Sequence, residues 1–213
     1  MQIIPVLNCI DRESAEEKIA VAEKFLKHGD FLHIDVADGA FTFHKTWNDT
    51  AGWAALRLPF PLEVHLMVEH PETLIAPWLA AGAKRFIVHI ETIDEDSLRD
   101  IAAACKAGGA ELALSSNPET PVDEFTPYLH NVSRFQVLAV NPGFAGQKFL
   151  PLALEKVKWL RAARPDAIIE VDGGIAPEWA LRAKDAGTDI AVSASYIFGS
   201  GDPGKAYEEL KKI

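Results

Sequence analysis

Two side chains of complementary chemistry stand two residues apart in an apolar run. They are His33 and Asp35, within Phe31-Leu32-His33-Ile34-Asp35-Val36-Ala37-Asp38-Gly39. Phe31, Leu32, Ile34 and Val36 favour a strand, and Gly39 favours a turn after it. Side chains alternate along a strand, so His33 and Asp35 share one face, about 6.6 Å apart along the axis. An imidazole and a carboxylate so placed could grip one metal ion. They could also be an imidazole held in place by a neighbouring carboxylate, since such pairs occur at both kinds of site. Two further residues fit the metal alternative. His65 lies in LEVHLMV (62–68), on a face with Glu63 and Met67, and Asp172 lies in EVDGGI (170–175). Two imidazoles and two carboxylates make a mixed nitrogen and oxygen set. It suits zinc, iron(II), manganese or cobalt, and suits calcium or magnesium poorly. One divalent ion with open positions can hold a substrate hydroxyl and carbonyl together and stabilise an enediolate.

These residues need a scaffold that makes them converge. Apolar runs read as strands at 3–8, 31–36, 62–68, 85–90, 111–114, 135–140, 167–171 and 189–192. Helical spacing or helix punctuation appears between them at 11–27, 50–58, 71–81, 95–107, 150–163 and 177–186, more weakly at 121–129, and finally at 203–212. Ala15, Ile19, Ala22, Phe25 and Leu26 share one helical face, Pro71 and Pro177 can open helices, and Gly82 can cap one. Strict alternation implies parallel strands joined by right-handed crossovers. Eight units in 213 residues fit a single (β/α)8 TIM barrel better than an open doubly wound sheet. In such a barrel chemistry gathers at the C-terminal ends of the strands. The polar residues there are Asn8, His33, Asp35, His65, His89 and Asp172.

Small residues follow the last three strands: Asn141-Pro142-Gly143-Phe144-Ala145-Gly146-Gln147, then Gly173-Gly174, then Ser193-Ala194-Ser195. Small side chains let backbone N–H groups approach an anion, and barrels often bind phosphate after strands seven and eight. Glycine alone marks ordinary turns as well, so it is the barrel order of these loops that points to a phosphate.

Bulk properties narrow the partners. A net charge of −10 disfavours nucleic acid and anionic membranes, and leaves an anionic substrate to local dipoles. Cys9 and Cys105 form no CxxC pair, and Met1-Gln2-Ile3-Ile4-Pro5 has no signal-peptide character. A reducing cytoplasm is the expected location. No apolar run reaches membrane-spanning length.

The segments HIDVADGAF, LEVHLMV, LALSSNPETP, VNPGFAGQKF and EVDGGI resemble, in order and through almost the whole chain, the signature segments of ribulose-phosphate 3-epimerases. The resemblance implies one (β/α)8 barrel over residues 1–213, of the ribulose-phosphate-binding type, and metal-dependent inversion at C3 of a ketose phosphate. His33, Asp35, His65 and Asp172 would hold the metal, with Asp35 and Asp172 as the acid/base pair. Asn8, Met67, Gly143, Phe144, Ala145, Gly146, Gly173, Gly174, Ala194 and Ser195 would face the substrate and its phosphate. Family members are often dimers or hexamers, so a homo-oligomer is implied too. The chain departs from the family where methionines are usual (Ala37, Leu138), in Phe41-Thr42-Phe43-His44, at a serine lost near Pro5 and Val6, at Ala145 and at Ala194-Ser195. These differences bear on the sugar more than on the proton transfer.

Rival readings remain open at this level. Another ketose phosphate, such as allulose 6-phosphate, could be the substrate, or the barrel could bind a phosphate ligand without turnover. A decarboxylase or aldolase is disfavoured, because related barrels tend to carry a lysine in the stretch that is His33-x-Asp35-x-x-Asp38 here. His89, with Glu91, reads as a partner behind the site or as a structural residue, and not as a ligand. His44 and Trp47 could reach substrate from the loop after the second strand. Lys45 and Lys148 are the nearest cations. All five tryptophans, Trp47, Trp53, Trp78, Trp159 and Trp179, otherwise read as helix-to-barrel packing.

Overall fold

The computed structural model describes all 213 residues, Met1–Ile213. Eight strands pair in parallel and in chain order to close a barrel: β1 (Gln2–Leu7), β2 (Leu32–Ala37), β3 (Leu62–Met67), β4 (Ala83–His89), β5 (Glu111–Ser116), β6 (Arg134–Leu138), β7 (Ile168–Asp172) and β8 (Ile190–Ser193). Closure comes from β8 against β1, with Ile3 opposite Ala191 and Ile4 opposite Val192. The helices are α1 (Arg12–Ala22), α2 (Thr50–Ala55), α3 (Ile75–Ala80), α4 (Glu95–Ala107), α5 (Leu152–Ala163), α6 (Pro177–Ala186), α7 (Ser195–Phe198) and α8 (Pro203–Lys211).

Local chemistry sets these boundaries. Asp11 and Asp94 cap α1 and α4, each with a serine three residues on that completes a capping box, and this satisfies otherwise orphaned N–H groups. Gly187 closes α6 in the left-handed region at φ 111°. Three expected helices come out differently. The helix expected at 11–27 ends at Ala22, and the following turns still carry Leu26 into the core and Phe25 onto Tyr207, 4.9 Å between ring centroids. The 71–81 segment divides into a 3-10 turn, Pro71–Thr73, and α3, because Pro77 has no N–H to bridge them. The 121–129 segment is a 3-10 helix, Val122–Tyr128, with Pro127 inside it.

Period-two alternation sends one face of each strand outward. Val64, Leu66, Phe86, Val88, Phe135, Val137, Ile169 and Val171 enter a 46-residue core between sheet and helices. Trp53 and Trp78 are buried there in ring contact, with Trp47 against Trp53. The inward face is split. Ile4, Val6, Ile190 and Val192 form a small apolar cluster on the β1–β8 side. Across from it lie the buried polar residues His33, Asp35, Glu63, His65, Arg85, His89, Gln136, Glu170 and Asp172. So many buried polar groups on one wall require mutual pairing.

Candidate active site

The polar wall is built from the strands up. On β2, His33 and Asp35 both point inward; on β3, Glu63, His65 and Met67 do the same; on β7, Glu170 and Asp172 follow the same rule. Register then sets Asp35 opposite His65. The ligand-type atoms of His33, Asp35, His65 and Asp172 all lie within 4.8 Å of one another. His33 Nε2 is 3.3 Å from Asp35 Oδ1, and His65 Nδ1 is 3.4 Å from Asp35 Oδ1 and 3.3 Å from Asp172 Oδ2. His33 Nε2, Asp35 Oδ1 and His65 Nδ1 are nonetheless buried without a properly aligned hydrogen-bond partner. Separations near 3.4 Å match the ligand–ligand edge of a tetrahedron with bonds of about 2.1 Å. Three buried, unpartnered ligand atoms gathered together, with a fourth beside them, fit a divalent cation.

Electrostatics agree. Burial would push the His33 imidazole down, but Asp35 and Glu63 outweigh it and hold its pKa well above the ordinary value. Burial acts the same way on His65, and Asp172 with Asp35 reverses it. Burial would raise the Asp35 carboxyl, yet the two imidazoles hold it well below the usual carboxylate range. The two carboxylates thus favour positive charge at this point, the charge that a divalent cation would supply.

The outer nitrogens of both imidazoles are also engaged. His33 Nδ1 lies 2.7 Å from Glu63 Oε1, and Glu63 is paired in turn with Arg85. His65 Nε2 lies 2.9 Å from His89 Nε2, and the two rings stack 5.1 Å apart. His89 Nδ1 is 3.2 Å from Glu91 Oε2, while Glu91 Oε1 accepts from the Asn117 N–H at 2.8 Å and from the Thr120 hydroxyl. Burial would raise the Glu91 carboxyl, but these bonds hold it at about 2. A carboxylate on His89 Nδ1–H leaves His89 Nε2 as the acceptor for His65 Nε2–H. That tautomer frees the His65 Nδ1 lone pair for the cluster. Gln136 donates to Glu170 at 3.0 Å and to Asp172 at 3.5 Å.

Above the cluster is a cleft. Asn8, Asp35, Met67, Gly143, Phe144, Ala145, Gly146, Asp172, Gly173, Gly174, Ala194 and Ser195 line it, together with Val6, Leu138, Val140, Ile175 and Val192. The residues expected to face substrate are thus gathered at one place, and His33 and His65 lie beneath them. No lysine or arginine is among the lining residues, so backbone N–H groups and neutral side chains such as Ser195 are what an anion would meet there. Lys45 and Lys148 stand outside the cleft, as do His44, whose ring contacts Phe144 at 4.5 Å, and Trp47. Ser195 opens α7, a four-residue helix too short to be read from periodicity.

The paired glycines are sterically required. A Cβ on Gly174 would sit 2.5 Å from the Phe149 backbone nitrogen, and its φ is +66°. Gly174→Ala is therefore expected to destabilise the protein by about 1–3 kcal/mol. Urea unfolding checks this, and a change of only a few tenths would contradict it.

Partners of the site hidden from a reading of single segments are Gln136, Arg85, Glu170 and Asp38. Asp38 Oδ1 accepts from the N–H groups of Ala40 and Phe41, at 2.8 and 2.9 Å, and Oδ2 accepts from Glu69 N–H at 2.9 Å. It ties the loop after β2 to the loop after β3. The Asx-turn chemistry of Asp-Gly was the available signal.

The closed parallel barrel and its inward imidazole–carboxylate cluster define a (β/α)8 protein with a centre that could hold a metal ion at the C-terminal ends of its strands. Residues 2–198 match the Ribulose-phosphate 3 epimerase family, and the chain belongs to it. It is 37% identical over 202 residues to the cytoplasmic isoform of ribulose-phosphate 3-epimerase of Oryza sativa subsp. japonica, covering 91% of this chain and 86% of that one. It is 32% identical over 188 residues to the ribulose-phosphate 3-epimerase of Mycobacterium tuberculosis (strain ATCC 25618 / H37Rv), covering 86% and 81%. Among solved structures, KGPDC from Streptococcus mutans in complex with D-R5P superposes with a TM-score of 0.77 at 13% identity, covering 99% of this chain and 95% of that one. A 3-hexulose-6-phosphate synthase superposes at 0.73 with 16% identity, covering 100% and 99%. These two likenesses establish the fold alone. No helix is long and apolar enough to cross a membrane.

Proposed function

We propose that the protein is a metal-dependent epimerase that interconverts D-ribulose 5-phosphate and D-xylulose 5-phosphate by inverting C3. The observation that carries this reading is the set of buried, unpartnered atoms of His33, Asp35 and His65, with Asp172 beside them, under a cleft lined by glycines. His33, Asp35, His65 and Asp172 would hold one divalent ion of the zinc, iron(II), manganese or cobalt type. When bound, it would supply Lewis-acid stabilisation of the negative charge that develops on the substrate oxygens. Asp35 on β2 and Asp172 on β7 flank His65 from two sides. One carboxylate takes the proton from C3, and the other returns a proton to the opposite face. Asp35 is the candidate base by position, since its carboxylate lines the cleft beside Asp172. The phosphate would rest against the N–H groups of Gly143 to Gly146, Gly173, Gly174, Ala194 and Ser195, with no cationic side chain needed. Asn8 and Met67 would face the sugar.

Incubation with D-ribulose 5-phosphate, with allulose 6-phosphate run in parallel, tests the reading. Metal-dependent formation of xylulose 5-phosphate, abolished by a chelator and restored by a divalent ion, is expected. Binding without turnover of either sugar would leave a phosphate-ligand binder instead.

The hydrogen-bond chain behind His65 gives a separate expectation. His89→Phe keeps a flat ring but removes the acceptor for His65 Nε2–H. The dissociation constant for zinc or manganese should rise about 10- to 100-fold, measured by competition with a chromophoric chelator. An unchanged constant would show that the His65 tautomer does not depend on His89.

A further inference from the structure

Asn8 follows β1 and sits between two parts of the cleft that do different work. Its side-chain nitrogen donates to Asp35 Oδ2 at 3.0 Å and to the Gly143 carbonyl at 3.0 Å. A primary amide carries two hydrogens in divergent directions, so one nitrogen serves both acceptors; a hydroxyl could serve only one. Asp35 Oδ1 is turned toward His33 and His65. The Asn8 bond to Oδ2 therefore fixes the rotation of the carboxylate from its other end. The loop after β2 packs close against Gly143 on its other side. Gly143 has φ +122°, and a Cβ there would lie 3.2 Å from His44 Cβ. The Asn8 backbone is anchored in turn, since its carbonyl accepts from Lys18 Nζ at 2.9 Å. A shift of the Gly143 carbonyl would act directly on the amide that donates to Asp35.

We infer that Asn8 is a positioning residue that couples occupation of the glycine loop by the substrate's phosphate to the alignment of the Asp35 carboxylate. This rests on the functional reading above. It predicts that the phosphate accelerates proton transfer through Asn8 and does more than hold the substrate. A misplacement of about 1 Å at a reacting group can cost on the order of 100-fold, so a small tightening of this link is enough to matter.

A substrate divided into two pieces separates coupling from a structural role. The metal-loaded protein is given D-erythrulose, which keeps the ketone and C3 but lacks the phosphate. Solvent deuterium exchange at C3 is followed with and without phosphite dianion. In the unsubstituted protein phosphite is expected to accelerate exchange at least about tenfold; in Asn8→Ala the acceleration ratio should fall to near one, whatever happens to the unaccelerated rate. Asn8→Asp keeps the side-chain volume, has no N–H to donate, and should lose the ratio too; it carries the test if the alanine variant does not fold. An unchanged ratio in either folded variant, or no phosphite effect in the unsubstituted protein, would overturn the coupling. Exchange from D-ribulose 5-phosphate is the control. Its absence would remove the epimerase reading and the coupling with it, whereas its presence with an unchanged ratio would sink the coupling alone.

Discussion

Asp172→Asn is expected to lower kcat/KM for epimerisation by about 10²- to 10⁴-fold, the range for loss of a positioned acid or base, while inorganic phosphate binds nearly as before. The asparagine fits the same volume and cannot exchange a proton. His65 Nδ1 and Gln136 Nε2 lie 3.3 and 3.5 Å from the Asp172 carboxylate, so the metal content of the variant is measured beside its kinetics. Asp35 is untouched and can still remove the C3 proton from one of the two epimers and return it on the same face. One epimer should therefore exchange its C3 hydrogen with solvent without inversion, and the other should not. Steady-state kinetics and NMR in deuterated water read the two effects separately. Equal loss of phosphate binding and epimerisation would contradict the assignment of Asp172 to proton transfer.

The second large effect lies below the site. Arg85→Met is expected to destabilise the fold by about 3–5 kcal/mol, the cost of stranding a buried charge, or roughly 10 °C in Tm for a chain of this size. Glu63 is fully buried, pairs with the Arg85 guanidinium, and accepts from the outer nitrogen of His33. Arg85 Nε also donates to Glu111 Oε2 at 2.8 Å, and its guanidinium lies 4.2 Å over the Phe31 ring. Removing Arg85 leaves the buried Glu63 carboxylate with His33 Nδ1–H as its remaining partner and one oxygen unpaired. The double variant Glu63→Gln/Arg85→Met should recover part of the loss, since a neutral amide still has an oxygen for His33 Nδ1–H. Thermal unfolding of the three proteins decides; a single variant within about 1 kcal/mol of the parent would show that Glu63 does not need Arg85.

The sequence carried the parts of this molecule that depend on local pattern. Eight apolar runs separated by helical spacing define the barrel, and period two within a run places His33 with Asp35 and Glu63 with His65. What it could not carry depends on register between strands. Glu63 pairs with Arg85 because those residues stand opposite each other in the β3–β4 ladder. Gln136 reaches Glu170 for the same reason in β6–β7. The strand expected at 111–114 runs on through Ser115 and Ser116. Ser115 is buried inside the barrel with its hydroxyl 2.7 Å from Gln136 Oε1, a partner on the next strand. The double duty of Asn8 was equally invisible. Its polarity at a strand end is local, but its two acceptors lie 27 and 135 residues away.

The most direct test of the whole account is to incubate the metal-loaded protein with D-ribulose 5-phosphate in deuterated water and follow C3 by NMR. Incorporation of deuterium at C3 with appearance of xylulose 5-phosphate is the expected result. With metal confirmed at the centre, a C3 proton that stays in place through the incubation would contradict the two-aspartate epimerase.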